Sequence, residues 1–186
     1  MDQIGIIVVA VAVFLIGWGV LVYNRFVRLN VRAEESWRDI DTQLKRRYDL
    51  IPNVVETVRG YATHEREVFE RVTAARSRAM GATTPEEEAA AEVGLKGALK
   101  TLFAVAEAYP DLKANQNFLK LQESLELVED TIQRSRVYYN AVVRDLNTAI
   151  KVFPQSLIAS LFRVKPRDFY MLTAEEERQA PKVKFR

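Results

Sequence analysis

Residues 26–62 read FVRLNVRAEESWRDIDTQLKRRYDLIPNVVETVRGYA. Phe26, Leu29, Ala33, Trp37, Ile40, Leu44, Tyr48, Ile51, Val55, Val58 and Ala62 make ten intervals over 36 residues, a mean of 3.6. That is the α-helical repeat, held for ten turns, and it predicts an amphipathic helix with one apolar face to bury. Pro52 lies inside the pattern, where it removes one backbone donor and crowds the Tyr48 carbonyl. Because the phase survives on both sides, a kink in a continuing helix is favoured; a chain that turns back there, with Asp49 capping a new helix, is the alternative. At ~1.5 Å per residue an unbroken 24–80 helix would be about 85 Å long, against two segments of about 42 Å.

Upstream, Ile4 to Val22 is a run of 19 uncharged residues, IGIIVVAVAVFLIGWGVLV, close to the ~20 that cross a bilayer core as a helix. It lacks the positive n-region and Ala-x-Ala site of a cleaved signal and is longer than a signal core, so an uncleaved anchor is expected. Arg25, Arg28 and Arg32 follow within ten residues while the short N-terminal side has no Lys or Arg, which places the body in the cytoplasm and the N-terminus outside. Ile4, Ala12, Gly19 and Val22 are read as membrane-spanning. Trp18 and Tyr23, with Arg25, Arg28 and Arg32, are read as headgroup-facing. Gly5, Ala12 and Gly19 recur every seven residues, a small-residue face of the kind that pairs spans.

Downstream, Thr84-Pro85 followed by Glu86-Glu87-Glu88 opens a helix expected to run to about Ala108 and to bury Leu95, Leu99, Leu102 and Ala106. After Tyr109-Pro110-Asp111, a run from Phe118 to Phe153 repeats every 3.5 residues, the coiled-coil period. No stretch of the body reads as a strand. The expected fold is all-α, an N-terminal transmembrane helix continuing into an antiparallel bundle of long helices. The expected organisation is an anchor over 1–23, a bundle over 24–165 and a C-terminal tail over 166–186. The apolar segment around Phe153, Leu157, Ile158, Leu161 and Phe162, with Arg163, Lys165 and Arg167 behind it, reads by default as a lid on the bundle end. Its composition also suits a membrane interface, the more so if the chain turned back at Pro52.

The chain has 186 residues, 27 Lys+Arg against 25 Asp+Glu, one His and no Cys. The absence of Cys excludes disulfides, thiolate metal sites and a cysteine nucleophile. After residue 23 the balance is 27 − 24 = +3, too small to mark a nucleic-acid binder. His64 has no second ligand at helical spacing, no Glu-x-x-His exists, and the seven glycines build no phosphate loop. Neither a catalytic residue, a metal site, a cofactor nor a small-molecule substrate is therefore called for. Glu34, Glu35, Asp39 and Asp41, interleaved with Arg32, Arg38, Lys45 and Arg46, read as a charge lattice. The stretch from Lys45 to Tyr61, with Lys45, Arg46, Arg47, Tyr48, Pro52, Asn53 and Tyr61, mixes the residue types enriched at protein interfaces and is the candidate partner surface.

Several blocks carry a resemblance. Tyr23-Asn24-Arg25-Phe26-Val27-Arg28-Leu29, Ser36-Trp37-Arg38-Asp39-Ile40-Asp41 and Gln43 to Ala62, with Leu50-Ile51-Pro52-Asn53 the most specific, are similar to the bacterial LemA family. So are Tyr139-Asn140-Ala141-Val142-Val143-Arg144, Asn147-Thr148, Phe153-Pro154 with Leu157-Ile158-Ala159, and Pro181-Lys182-Val183-Lys184-Phe185. Arg163 stands where a glycine commonly follows Leu-Phe, which argues against a tight glycine turn there, and Leu146 stands where an aromatic is common. The resemblance implies a single-pass protein of the bacterial cytoplasmic membrane with a helical body inside, no established enzyme activity, and loose links to membrane organisation and membrane stress proteases.

Two functions follow as expectations. One is a non-enzymatic scaffold that self-associates as a homo-oligomer to organise or shape the bilayer. The other is an adaptor docking another membrane protein such as a stress protease.

Overall fold

In the computed structural model, which describes residues 2–82 and 85–170, the first helix, α1, runs from Gln3 to Arg59 and passes through Pro52. The carbonyl that Pro52 leaves without its helical donor is Tyr48's, and Arg76 Nε donates to it at 2.7 Å. A side chain from the next helix thus replaces the bond that proline removes. The chain reverses later than Pro52 and earlier than residue 80. Gly60, a poor helix former, follows Arg59, and Tyr61 N and Ala62 N both donate to the Val58 carbonyl as the last turn closes. Ala62 is buried within the turn, so the apolar phase runs on past the true end of the helix.

Then come α2 (Arg66–Gly81), α3 (Pro85–Glu107), α4 (Pro110–Lys113), α5 (Gln116–Lys151) and α6 (Gln155–Leu161), with no strand among the described residues. All eleven positions of the 3.6 repeat are buried or half-buried, as are Leu95, Leu99, Leu102 and Ala106. The single-turn α4 was not expected; proline at its first position and Leu112, fully buried, hold it in place. Asn115 starts α5, its Oδ1 accepting from the Asn117 and Phe118 amides at 2.9 and 3.1 Å.

Among the described residues these elements make two compact units, 2–40 with Arg134–Phe169, and Asp41–Gln133 with Tyr170. In the first, Val22 and Phe26 of α1 pack with Leu146 and Ala149 of α5 and Ala159 of α6, while Trp37 meets Tyr139 edge-on at 5.4 Å. Ascending α1 therefore pairs with descending α5, and the two are antiparallel. In the second unit, the Arg59 guanidinium lies 5.4 Å over the Phe69 ring. Residue 59 thus faces 69 while 48 faces 76, so α1 and α2 are antiparallel as well.

Residues 166–169, expected as the start of a tail, are tied to the first unit instead. Asn147 Nδ2 donates to the Arg167 carbonyl at 2.8 Å and Asn147 Oδ1 accepts from the Arg167 amide at 3.0 Å. Arg167 Nε donates to Asn30 Oδ1, and the Tyr139 hydroxyl donates to the Asp168 carbonyl. The Tyr170 hydroxyl, in the second unit, is 3.2 Å from Glu88 Oε1. The remainder of the expected tail, from Met171, lies outside the described residues.

Candidate functional site

The site is built on the first twenty residues of α1. Its side chains from Ile4 to Leu21 are exposed except Trp18 and Gly19, and by length and composition this helix can cross a membrane. Ile4 and Ala12 stand open. Val22, expected at the end of the span, is instead a core residue, because α5 and α6 cover it. Gly19 also faces protein: a side chain there would meet Ile158 Cδ1 at 3.6 Å, whereas one at Gly5 would meet nothing within 4 Å. Trp18, read as headgroup-facing, is half-buried against this cluster. Tyr23 meets Phe162 with ring centroids 4.5 Å apart and planes tilted by 44°, and Arg25, Arg28 and Arg32 are exposed.

Helix α6 covers the core with one face only. Ile158 and Ala159 turn inward, while Leu157, Leu161 and Phe162, with Phe153 before the helix, are exposed. Its return to the span needs no turn at Pro52, because α5 itself brings Leu146 and Ala149 beside Val22. The tight turn that Arg163 argued against is present. Val164 N donates to the Ala159 carbonyl and Arg163 N to that of Ser160, with Arg163 at φ 52°. This is the Schellman arrangement, with an arginine in the left-handed position glycine usually takes.

The candidate partner surface is split. Lys45, Arg46, Pro52 and Asn53 are exposed, but Arg47 and Tyr48 are buried, which corrects the expectation for those two. Arg47 Nη1 donates to Glu92 Oε2 at 2.6 Å and sits 3.1 Å from Glu129 Oε2, and the Tyr48 hydroxyl donates to Glu92 Oε1 at 2.9 Å. Burial, then the adjacent Glu92 carboxylate, holds the Tyr48 phenol far above the ordinary tyrosine range. The Tyr61 hydroxyl accepts from Asn115 Nδ2 at 2.9 Å. Sequence reasoning missed Glu92, which lies beyond the acidic first turn of Glu86-Glu87-Glu88; its signal was its place between Ala89 and Leu95 on the apolar face.

Among the described residues no group of three His, Asp or Glu side chains could hold a metal ion. His64 is exposed in the 60–65 turn. A further feature was not foreseen: a trough of about 1240 Å³ between α2 and α3, lined by small residues, among them Ala74, Gly94 and Gly97, and by both acids and arginines, among them Glu67, Arg71 and Arg78.

Compared with known proteins, residues 36–185 match the model of the LemA family. The chain belongs to the LemA family. It is 29% identical over 140 residues to Protein LemA of Metamycoplasma hominis, covering 73% of this chain and 63% of that protein. It is 23% identical over 174 residues to magnetosome protein MamQ of Magnetospirillum gryphiswaldense, and to MamQ 2 of Paramagnetospirillum magneticum, in each case covering 80% of this chain and 64% of the relative. The chain thus spans a little under two thirds of the length of these relatives. LemA membership together with the apolar N-terminal helix is consistent with a membrane-anchored bacterial protein. Within this LemA chain two of the resembling blocks meet side-chain support of the backbone: the Tyr48 carbonyl that Pro52 leaves free accepts from Arg76, and Asn147 holds both polar backbone groups of Arg167.

Proposed function

We propose that this protein is a non-enzymatic scaffold, anchored in the bacterial cytoplasmic membrane with its N-terminus outside, which self-associates on the cytoplasmic face to organise or shape the bilayer. The observation that carries this reading is the α2/α3 trough. Its Ala and Gly lining lets another backbone approach closely, and the acids and arginines along it give each copy both charge signs to offer a second. A side chain built at Gly94 or Gly97 would meet nothing within 4 Å in the chain itself, so the trough is open to a second copy. Relatives named as magnetosome proteins, after a cellular structure and not after a reaction, support the same reading.

Replacing Gly97 by Trp should obstruct close approach of a second backbone along the trough without disturbing the fold, and should abolish cross-links between copies in native membranes. Retention of those cross-links would refute this mode of assembly. Links to one other membrane protein, with none between copies, would make the chain an adaptor.

A further inference from the structure

We propose that α6 is a second membrane element: a short helix lying in the headgroup and acyl boundary of the leaflet from which α1 emerges, its outer face in contact with anionic lipid. The inference rests on α1 being the anchor and is independent of self-association.

Three observations carry it. The first is depth. Ile158 packs on α1 at Gly19, three residues inside the end of the apolar run at Val22, or about 4.5 Å toward the bilayer centre. An element beside the span at that level lies at the boundary.

The second is polarity. Phe153 is 74% exposed, Leu161 71% and Leu157 60%, while Ile158 and Ala159 pack on the core. In water this would be a continuous apolar face beside an apolar helix; next to lipid both faces are satisfied together.

The third is charge. No acid occurs between Asp2 and Glu34, or between Asp145 and Asp168, yet these stretches hold Arg25, Arg28, Arg32, Lys151, Arg163, Lys165 and Arg167. Arg25, Arg28, Lys151, Arg163 and Lys165 are all exposed. A protein partner would have to offer an apolar and a strongly acidic surface in register; a bilayer containing anionic lipid offers both without further design. Arg163 even takes a left-handed conformation that favours glycine, which places a cation at the turn where the chain leaves α6.

The chain has no cysteine, so single labelling sites are simple to make. The full-length protein carrying Leu157→Cys or Leu161→Cys, each with an environment-sensitive fluorophore, is reconstituted into vesicles of phosphatidylethanolamine and phosphatidylglycerol. It is then challenged with a quencher on the lipid acyl chains and with an aqueous one. Val13→Cys reports the span and Lys120→Cys the aqueous body.

At 157 and 161 the lipid quencher should be effective and the aqueous quencher about tenfold less effective than at 120, as for a helix seated ~5–10 Å into the boundary. Aqueous quenching at 157 and 161 equal to that at 120, with 13 in lipid, would overturn the proposal and leave the anchor intact. Protection from both quenchers would also overturn it, by showing a protein cover. A water-exposed label at 13 would remove the anchor and the proposal together.

Discussion

Replacing Arg47 by Met would take from Glu92, in the interior of the second unit, the guanidinium that faces it at 2.6 Å. The side chains of Arg47 and Glu92 are 6% and 4% exposed, and their contact is 2.6 Å. Desolvating two charges roughly cancels what their attraction returns, so the pair itself adds little; removing one partner, however, leaves the other buried without that counter-charge, at about 3–5 kcal/mol. Glu129, 31% exposed, can turn to water once Arg47 is gone, whereas Glu92, 4% exposed, stays inside and loses its 2.6 Å contact with the guanidinium while keeping that of the Tyr48 hydroxyl. For a chain of this size each kcal/mol lowers Tm by about 2–4 °C, giving a fall of roughly 6–20 °C. Thermal unfolding of the full-length protein in detergent micelles, followed by far-ultraviolet circular dichroism, measures it. Adding Glu92→Gln removes the buried charge while keeping an acceptor for Tyr48, and should restore at least half of the loss. A single variant within about 1 kcal/mol of the parent, or a double variant no better than the single, would refute the reasoning.

Three further outcomes are expected. The Tyr48 phenol holds its proton more tightly folded than unfolded, so its contribution is intact below about pH 10 and declines as pH rises beyond it, by up to about 1.4 kcal/mol per pH unit; Tyr48→Phe should flatten the fall measured in urea titrations, and unchanged slopes would contradict this. Arg76→Met should cost about 1–2 kcal/mol by leaving the Tyr48 carbonyl without its donor, and clearly less in a Pro52→Ala background, where the helix supplies the amide; a double-mutant cycle with no coupling would count against the repair. Arg163→Gly should raise stability by about 0.5–1 kcal/mol by relieving the left-handed conformation, and a loss in thermal unfolding would show that the side chain contributes more than its backbone costs.

The apolar periodicities made the helices legible because each helix buries one face. Every position of the Phe26–Ala62 repeat lies inside or partly inside. Periodicity could not locate the end of α1, since Ala62 is buried in the turn just as a helical residue would be. Gly60 was the local signal, and the more conspicuous Pro52 drew attention from it. Pairings between distant residues were not legible at all. Arg47 and Tyr48 looked like surface anchors because nothing local tells a solvated arginine from one whose carboxylate partner stands 45 positions away in Glu92. The membrane end was half legible: the span and its arginines could be read directly, whereas the seating of α6 on Gly19 depends on how α5 returns.

Self-association of the anchored chain is the claim on which the functional reading stands. It is tested most directly by mixing two isotopically distinct versions of the full-length protein in native membranes, cross-linking lysines, and identifying peptides that join the light form to the heavy. The expected result is mixed pairs that include Lys96 and Lys100 of α3, the helix that forms one wall of the trough, and their disappearance in the Gly97→Trp variant. Mixed pairs absent, while links to other membrane proteins form readily at the same lysines, would contradict the scaffold.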